Sequence, residues 1–242
     1  MMPQNNLEDF EKKIGIIFDN KDLLTQVFIH RSFLNENIGF KLDHNERLEF
    51  LGDAVLELVV TENLYKNLPN PEGELTNLRS ALVRGKMLSD IAGSLGINDY
   101  LYLSKGEASS EGKARQLILA NTFEALIGAI YLDKGYETTK EFIEKILLKR
   151  LQEIIDQKTY LDPKSHLQEI AQAQLSVTPN YKVLAEYGPD HAKSFSVGCF
   201  ISEKLIGEGS GSSKQIAESA AASNALEHWS ETNNNELDSK PS

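Results

Sequence analysis

Asn45-Glu46-Arg47-Leu48-Glu49-Phe50-Leu51-Gly52-Asp53-Ala54-Val55-Leu56 sets three acids into a run that otherwise reads as a buried helix. At about 100° per residue, Glu46, Glu49 and Asp53 share one helical face. Burying a carboxylate is costly unless something pairs with it, and three on one face repel each other. The plain alternative is a solvated acidic stripe. Against it, Leu48, Phe50, Leu51, Val55, Leu56, Leu58 and Val59 leave little of the helix for water. A divalent-metal site made of hard oxygen ligands accounts better for the pattern. Ala120-Asn121-Thr122-Phe123-Glu124-Ala125-Leu126-Ile127-Gly128-Ala129 repeats the anomaly, with Glu124 in an apolar run and Asn121 one turn before it. If the two helices pack side by side, Glu49, Asp53, Asn121 and Glu124 converge on one octahedral Mg²⁺, which takes few protein oxygens and keeps several waters.

Other residues carry competing explanations. Asp43-x-x-Glu46 has the shape of a capping box, so Glu46 is either a helix cap or part of the site. Glu72, just after Pro71, suits the start of a helix dipole as well as a site. His30 and Ser32 read as local structural residues, and Cys199 as a core residue on a strand. No nucleophilic triad is present.

The chain as a whole narrows the classes. Its 242 residues carry 40% hydrophobic and 25% charged side chains, an ordinary globular balance for one large domain or two small ones. No apolar run approaches the ~20 residues of a membrane span, and Met1-Met-Pro-Gln-Asn-Asn6 does not resemble a secretory leader. A single cysteine excludes an intrachain disulfide and suits a reducing cytoplasm. The net charge of −11 argues against broad attraction to nucleic acid or to an anionic membrane. Any polyanion must be met by a local basic patch or through metal ions.

Residues 1–155 read as helices with short breaks: 7–17, an apolar segment 23–33, the acid-bearing helix 43–68 stopped by Pro69-Asn70-Pro71, then 72–84 and 86–95. A Gly-rich loop at 101–113 precedes helices 114–131 and 138–155. Residues 156–161 form a plausible linker. From 162 to 230 the period changes. Asp162 caps a helix with Pro163 at its first position, alternating strands follow around 181–187, 195–201 and 204–209, and an Ala-rich helix runs over 213–229. The fold class is therefore an all-α domain followed by a small α-β-β-β-α domain, an antiparallel sheet with both helices on one face. Gly207-Glu-Gly-Ser-Gly211 is not a dinucleotide fingerprint in this setting, and its glycines suit a tight turn into the last helix. Residues 231–242 are polar and read as a disordered tail.

The segment from Asn45 to Leu56 resembles the signature of the ribonuclease III family over its whole length. So do Phe28-Ile-His-Arg-Ser32, Leu75-Thr-Asn-Leu-Arg-Ser-Ala-Leu-Val-Arg84 and Phe123-Glu-Ala-Leu-Ile-Gly-Ala-Ile-Tyr-Leu132. Asp162-Pro-Lys-Ser-His-Leu-Gln-Glu169 and the stretch Gly211 to Ala222 resemble a double-stranded-RNA-binding domain. The resemblance implies a homodimeric, Mg²⁺-dependent endonuclease, Mn²⁺ able to substitute, that cuts both strands of duplex RNA in the cytoplasm. It implies 5′-phosphate and 3′-hydroxyl ends with short 3′ overhangs, and processing of ribosomal and other structured precursors. By position, Glu49, Asp53 and Glu124 are metal ligands, Glu46 and Glu72 supporting acids of the catalytic valley, and Phe50 the aromatic that enters a pocket on the partner. The loop around Gly112, Lys113 and Arg115 should help hold phosphate.

Two departures stand out. Bacterial members commonly carry Asp where this chain has Asn121, which keeps a carbonyl oxygen for the metal but gives up a charge. In the RNA-binding half, Ser165, Gln168 and Glu169 match first-helix contacts, His191 lies in the β1–β2 loop, and Ser213 and Lys214 match phosphate contacts at the last helix. The family often has two adjacent bases there, whereas this chain has Lys214-Gln215, in a half where acids outnumber lysines. Both departures motivate a rival: a non-catalytic RNA-binding protein of the same fold. Retention of Glu46, Glu49, Asp53, Glu72 and Glu124 weighs against it.

Overall fold

The computed structural model describes residues 6–158, 160–189 and 193–229, which divide into two compact units between residues 160 and 161. The expectations for His191 and for the tail 231–242 lie outside the described residues. The first unit is helical. It contains α1 (Leu7–Ile14), α2 (Lys21–Val27), α3 (Arg31–Glu36), α4 (Glu46–Asn67), α5 (Glu72–Val83), α6 (Gly85–Ser94), α7 (Lys105–Ala108), α8 (Gly112–Ile146) and α9 (Leu151–Asp156). The second unit follows the order α10 (Pro163–Leu175), β1 (Asn180–Tyr187), β2 (Ser194–Ile201), β3 (Lys204–Gly211) and α11 (Lys214–Glu227). The expected fold class holds in both. Among the described residues no helix is long and apolar enough to cross a membrane.

In the first unit α4 and α8 lie along each other, with α2 and α6 also against α8. Leu56, Val59 and Val60 of α4 and Phe123, Leu126 and Ile130 of α8 are fully buried between them. Each fully buried side chain of this size contributes about 1.5–3 kcal/mol by leaving water, so this contact is a main source of the unit's stability. Glu62 reinforces it from the rim. It accepts hydrogen bonds from Lys66, Tyr136 and Lys140, which hold its carboxyl down at about 2. Gly135 interrupts α8 with a φ of 78°, which explains why the sequence pattern breaks there into two helices.

Four details depart from the sequence reading. The helix expected at 7–17 ends at Ile14, because Gly15 adopts the left-handed conformation (φ 75°) and turns Ile17 out to solvent. The apolar segment 23–33 is not continuous. The chain crosses Tyr102 at Phe28–His30, with Tyr102 N–H donating to Phe28 O (2.9 Å) and His30 N–H to Tyr102 O (3.1 Å). The capping box at Asp43 and Glu46 does not form. Instead Asn45, buried just ahead of α4, donates its side-chain amide to Val27 O (2.8 Å) and its backbone N–H to Ile29 O (2.9 Å). The crossing and the start of α4 are thus fastened to each other. Within the expected loop 101–113, Ser104 caps the short helix α7 by accepting the Glu107 N–H.

In the second unit the strands form an antiparallel meander, β1-β2-β3, with Val183 opposite Val197 and Cys199 opposite Gly207. Val197, Cys199 and Ile206 share a core with Leu167 and Ala171 of α10 and with Ala217, Ala221 and Ala225 of α11. Asp162 accepts the Ser165 N–H as the expected cap. The glycines 207, 209 and 211 lie inside β3 rather than in a turn. A Cβ on Gly207 would lie 2.5 Å from Ala221 O, and one on Gly209 2.1 Å from Ala221 N. Their role is to let α11 lie directly on the strand.

Candidate active site

The site is organised by two glycines in helix interiors. A Cβ on Gly52 of α4 would lie 1.7 Å from the backbone oxygen of Glu124, and one on Gly128 of α8 would lie 2.2 Å from Leu48 O. Any side chain at either position would force the helices apart. Backbone therefore meets backbone at this crossing, which brings Glu49 and Asp53 of α4 up to Asn121 and Glu124 of α8. Sequence patterning singles out neither glycine. The only signal is the presence of Gly, a poor helix former, within each acid-bearing run.

The acids feel one another. Burial, then the charges of Asp53 and Glu49, pushes the Glu124 carboxyl up to about 7. Glu49 is also raised, by burial first and then by Glu46 and Asp53, while a hydrogen bond from the Asn121 side chain opposes the shift. Near neutral pH the cluster thus holds more negative charge than its surroundings compensate. Among the described residues no three His, Cys, Asp or Glu stand close enough together to form a ready-made metal cage. The donor set nevertheless suits a hard divalent cation: carboxylate and amide oxygens only, part-buried at Glu49, Asn121 and Glu124 and exposed at Asp53, with an excess of negative charge that a cation would relieve.

Beside this cluster lies a cavity of about 170 Å³ lined by His30, Asn45, Glu46, Glu49, Leu117, Ile118, Asn121 and Thr122. Glu46 borders it, with its carboxylate 3.5 Å from the Arg31 guanidinium and its backbone N–H donating to His44 Nδ1 (3.4 Å). His30 Nδ1 lies 2.8 Å from Ser32 Oγ, which in turn accepts the Ser104 N–H, so this pair ties down the cavity wall. Glu72 is not brought to the acids within one chain. It lines a separate cavity of about 530 Å³ between the second half of α4 and α5, with Thr61, Leu64, Tyr65, Leu68 and Leu75. Phe50, next to Glu49, is 82% exposed, and Leu58 is 57% exposed. One face of α4 is therefore open, contrary to the expectation that little of it meets water.

Of the two basic residues expected near RNA, Lys113 is exposed at the start of α8. Arg115 is engaged internally: its guanidinium donates to the carbonyl oxygens of Glu107, Ala108 and Ser110 and closes the α7 turn. In the second unit, Ser165, Gln168 and Glu169 lie together on the open face of α10. Gln172 and Ala173 extend that face, and the i, i+3, i+4, i+7 spacing could have revealed Gln172. Ser213 Oγ accepts the Ile216 N–H and caps α11, with Lys214 as the first residue of the helix.

Residues 20–151 match the family model described as Ribonuclease-III-like, and residues 163–228 match the double-stranded RNA binding motif. The chain is 41% identical over 225 residues to the Ribonuclease 3 of Dehalococcoides mccartyi strain 195, covering 93% of this chain and 95% of that protein. It is 45% identical over 217 residues to the Ribonuclease 3 of Protochlamydia amoebophila, covering 89% of each. Among solved structures, the nuclease domain of ribonuclease III from Campylobacter jejuni superposes with a TM-score of 0.54 at 41% identity, covering 60% of this chain and 97% of that one. That structure is described as flexible in a region involved in dimer formation.

Proposed function

The chain belongs to the ribonuclease III family, and on that premise we propose that the α4–α8 site hydrolyses both strands of duplex RNA in a Mg²⁺-dependent reaction. The products are 5′-phosphate and 3′-hydroxyl ends with short 3′ overhangs. The substrates are structured precursors, ribosomal ones among them. One observation carries this reading: the Gly52–Gly128 crossing sets Glu49 and Asp53 against Asn121 and Glu124, and leaves Glu124 with its carboxyl at about 7.

Glu49, Asp53, Glu124 and the Asn121 carbonyl oxygen would hold the cation. When bound, Mg²⁺ supplies a more acidic water and neutralises charge on the phosphodiester oxygens. With its carboxyl at about 7, Glu124 holds a proton part of the time near neutral pH, and a bound cation would favour its ionised form. Glu46 orders the neighbouring wall through Arg31 and His44. Lys113 offers its ammonium to the RNA backbone from the α7–α8 turn, whose shape Arg115 maintains. The α10 face of Ser165, Gln168, Glu169 and Gln172 presents hydroxyl, amide and carboxylate groups suited to 2′-hydroxyls in a minor groove. Ser213, Lys214 and the free N–H groups of the α11 start serve a phosphate. A single buried thiol, Cys199, suits a reducing cytoplasm.

The working unit is a homodimer. Phe50, Ala54, Leu58, Thr61 and Tyr65 line the open face of α4. Two copies of this helix packed antiparallel about Leu58 place each Phe50 at Tyr65 of the partner subunit, at the mouth of the cavity of about 530 Å³. The same docking carries Glu72, on the rim of that cavity, toward the acids of the other copy. This would give Glu72 the supporting role it cannot fill within one chain.

The test uses end-labelled duplex RNA with wild type and Glu124→Gln, each with and without Mg²⁺. Wild type should cut only with the metal, and the variant should lose at least about a hundredfold in rate, in line with removal of a main charge-stabilising group. Binding without cleavage at any Mg²⁺ concentration would instead leave a non-catalytic RNA-binding protein.

A further inference from the structure

Lys214 opens α11 and Lys193 immediately precedes β2. Both ammonium groups are already held by one carboxylate. Glu186, near the end of β1, has Oε2 2.9 Å from Lys193 Nζ and Oε1 3.8 Å from Lys214 Nζ. The strand register produces this arrangement. Glu186 lies directly opposite Phe195, and Lys214 reaches back over the Phe195 ring with its ammonium 5.7 Å from the centroid. The aromatic face thus guides the Lys214 stem toward the carboxylate. The hydrogen bond from Lys193, together with the charges of Lys193 and Lys214, holds the Glu186 carboxyl below the usual range, so it is ionised at neutral pH. Elsewhere in the unit Lys164 pairs with Glu218 and Lys182 with Glu203, neither of which involves Glu186.

We propose that Glu186 is a built-in counter-anion of the RNA-binding surface, occupying Lys193 and Lys214 until backbone phosphates of duplex RNA displace it. The proposal rests on the reading of this unit as the RNA-binding module. Ammonium groups that already share a carboxylate present less positive charge to the incoming backbone. Part-exposed ion pairs of this kind are weak, so the carboxylate gives way. A phosphate that replaces it takes an ammonium partner and releases condensed counterions from the RNA, an advantage that the internal pair does not have. Glu186 therefore lowers affinity and flattens its salt dependence by competing for the same donors, without touching RNA itself. Thrift in basic residues is thus compounded by an acid that masks two of them.

The experiment measures binding of a fluorescent RNA duplex, longer than the roughly 16 bp that such a domain spans, to the full chain without divalent metal over a salt series. Glu186→Gln should bind about three- to tenfold tighter at fixed salt, the scale expected for removing the exposed ion pairs that Glu186 makes. Its log–log salt slope should steepen, by up to about 0.7–0.9 per lysine, because added salt no longer loosens a competing internal pair. Lys214→Gln should cost more affinity in the Glu186→Gln background than in the parent, because only there is the ammonium unmasked. Thermal unfolding checks that the variants keep the fold, and Glu186→Ser replaces the glutamine variant if they do not. Unchanged or weaker binding with an unchanged slope in a folded variant overturns the proposal. Failure of the parent to bind duplex RNA overturns the RNA-binding reading as well, so the two failures are distinct.

Discussion

At the scale of single residues, Asn121 makes this copy of the site distinctive. Its side chain hydrogen-bonds Glu49 and partly offsets the rise in that carboxyl, an interaction that an ionised Asp cannot offer. Asn therefore steadies the metal-free cluster, and it would offer a bound cation less charge than Asp. Asn121→Asp should lower the Mg²⁺ concentration for half-maximal cleavage by about tenfold, equivalent to ~1.4 kcal/mol of added attraction. The same variant should melt at a lower temperature without metal, because it adds a fourth anion to a crowded cluster. A Mg²⁺ titration alongside a metal-free melt checks both effects, and an unchanged half-saturation point would contradict the role given to Asn121. The acids of this cluster were legible in the sequence, since Glu49, Asp53 and Glu124 are conspicuous in apolar runs. Their partners were not. The use of Arg115 for three carbonyls and the grip of Glu186 on two lysines depend on contacts across turns and strands that spacing does not encode.

At the scale of elements, periodicity located the helices and strands because each buries one side. It failed where an apolar run serves two conformations in succession. Residues 23–33 read as one segment, yet the chain leaves α2, crosses Tyr102 and re-enters a helix at Arg31. Glycines were the other blind spot, since a Gly that permits close approach looks the same in sequence as one that permits a turn. Gly207, Gly209 and Gly211 belong to the first kind, as do Gly52 and Gly128. Gly52→Ala should destabilise the nuclease unit by about 3 kcal/mol, the upper end for overpacking, because its methyl meets backbone that cannot rotate away. Gly73→Ala, where nothing lies within 4 Å of the added carbon, is the control and should change stability little. Denaturant unfolding of both variants measures the contrast, and equal stability would show that the crossing is looser than described.

At the scale of the whole molecule, the open face of α4 and the separation of Glu72 from the other acids are what the proposed second copy would account for. Phe50→Glu should leave each monomer folded, since Phe50 is 82% exposed, while weakening association. A buried aromatic anchor contributes about 2 kcal/mol or more at an interface, so the dimer dissociation constant should rise at least ~30-fold. Sedimentation equilibrium gives that constant, and wild-type association by the variant would remove Phe50 from the interface. The most direct measurement of the central claim is anomalous diffraction from crystals of the protein loaded with Mn²⁺. A peak about 2.1 Å from oxygens of Glu49, Asp53 and Glu124, with the Asn121 side chain beside it, is the predicted result. Mn²⁺ bound elsewhere in a catalytically active protein, with these four side chains unliganded, would contradict it.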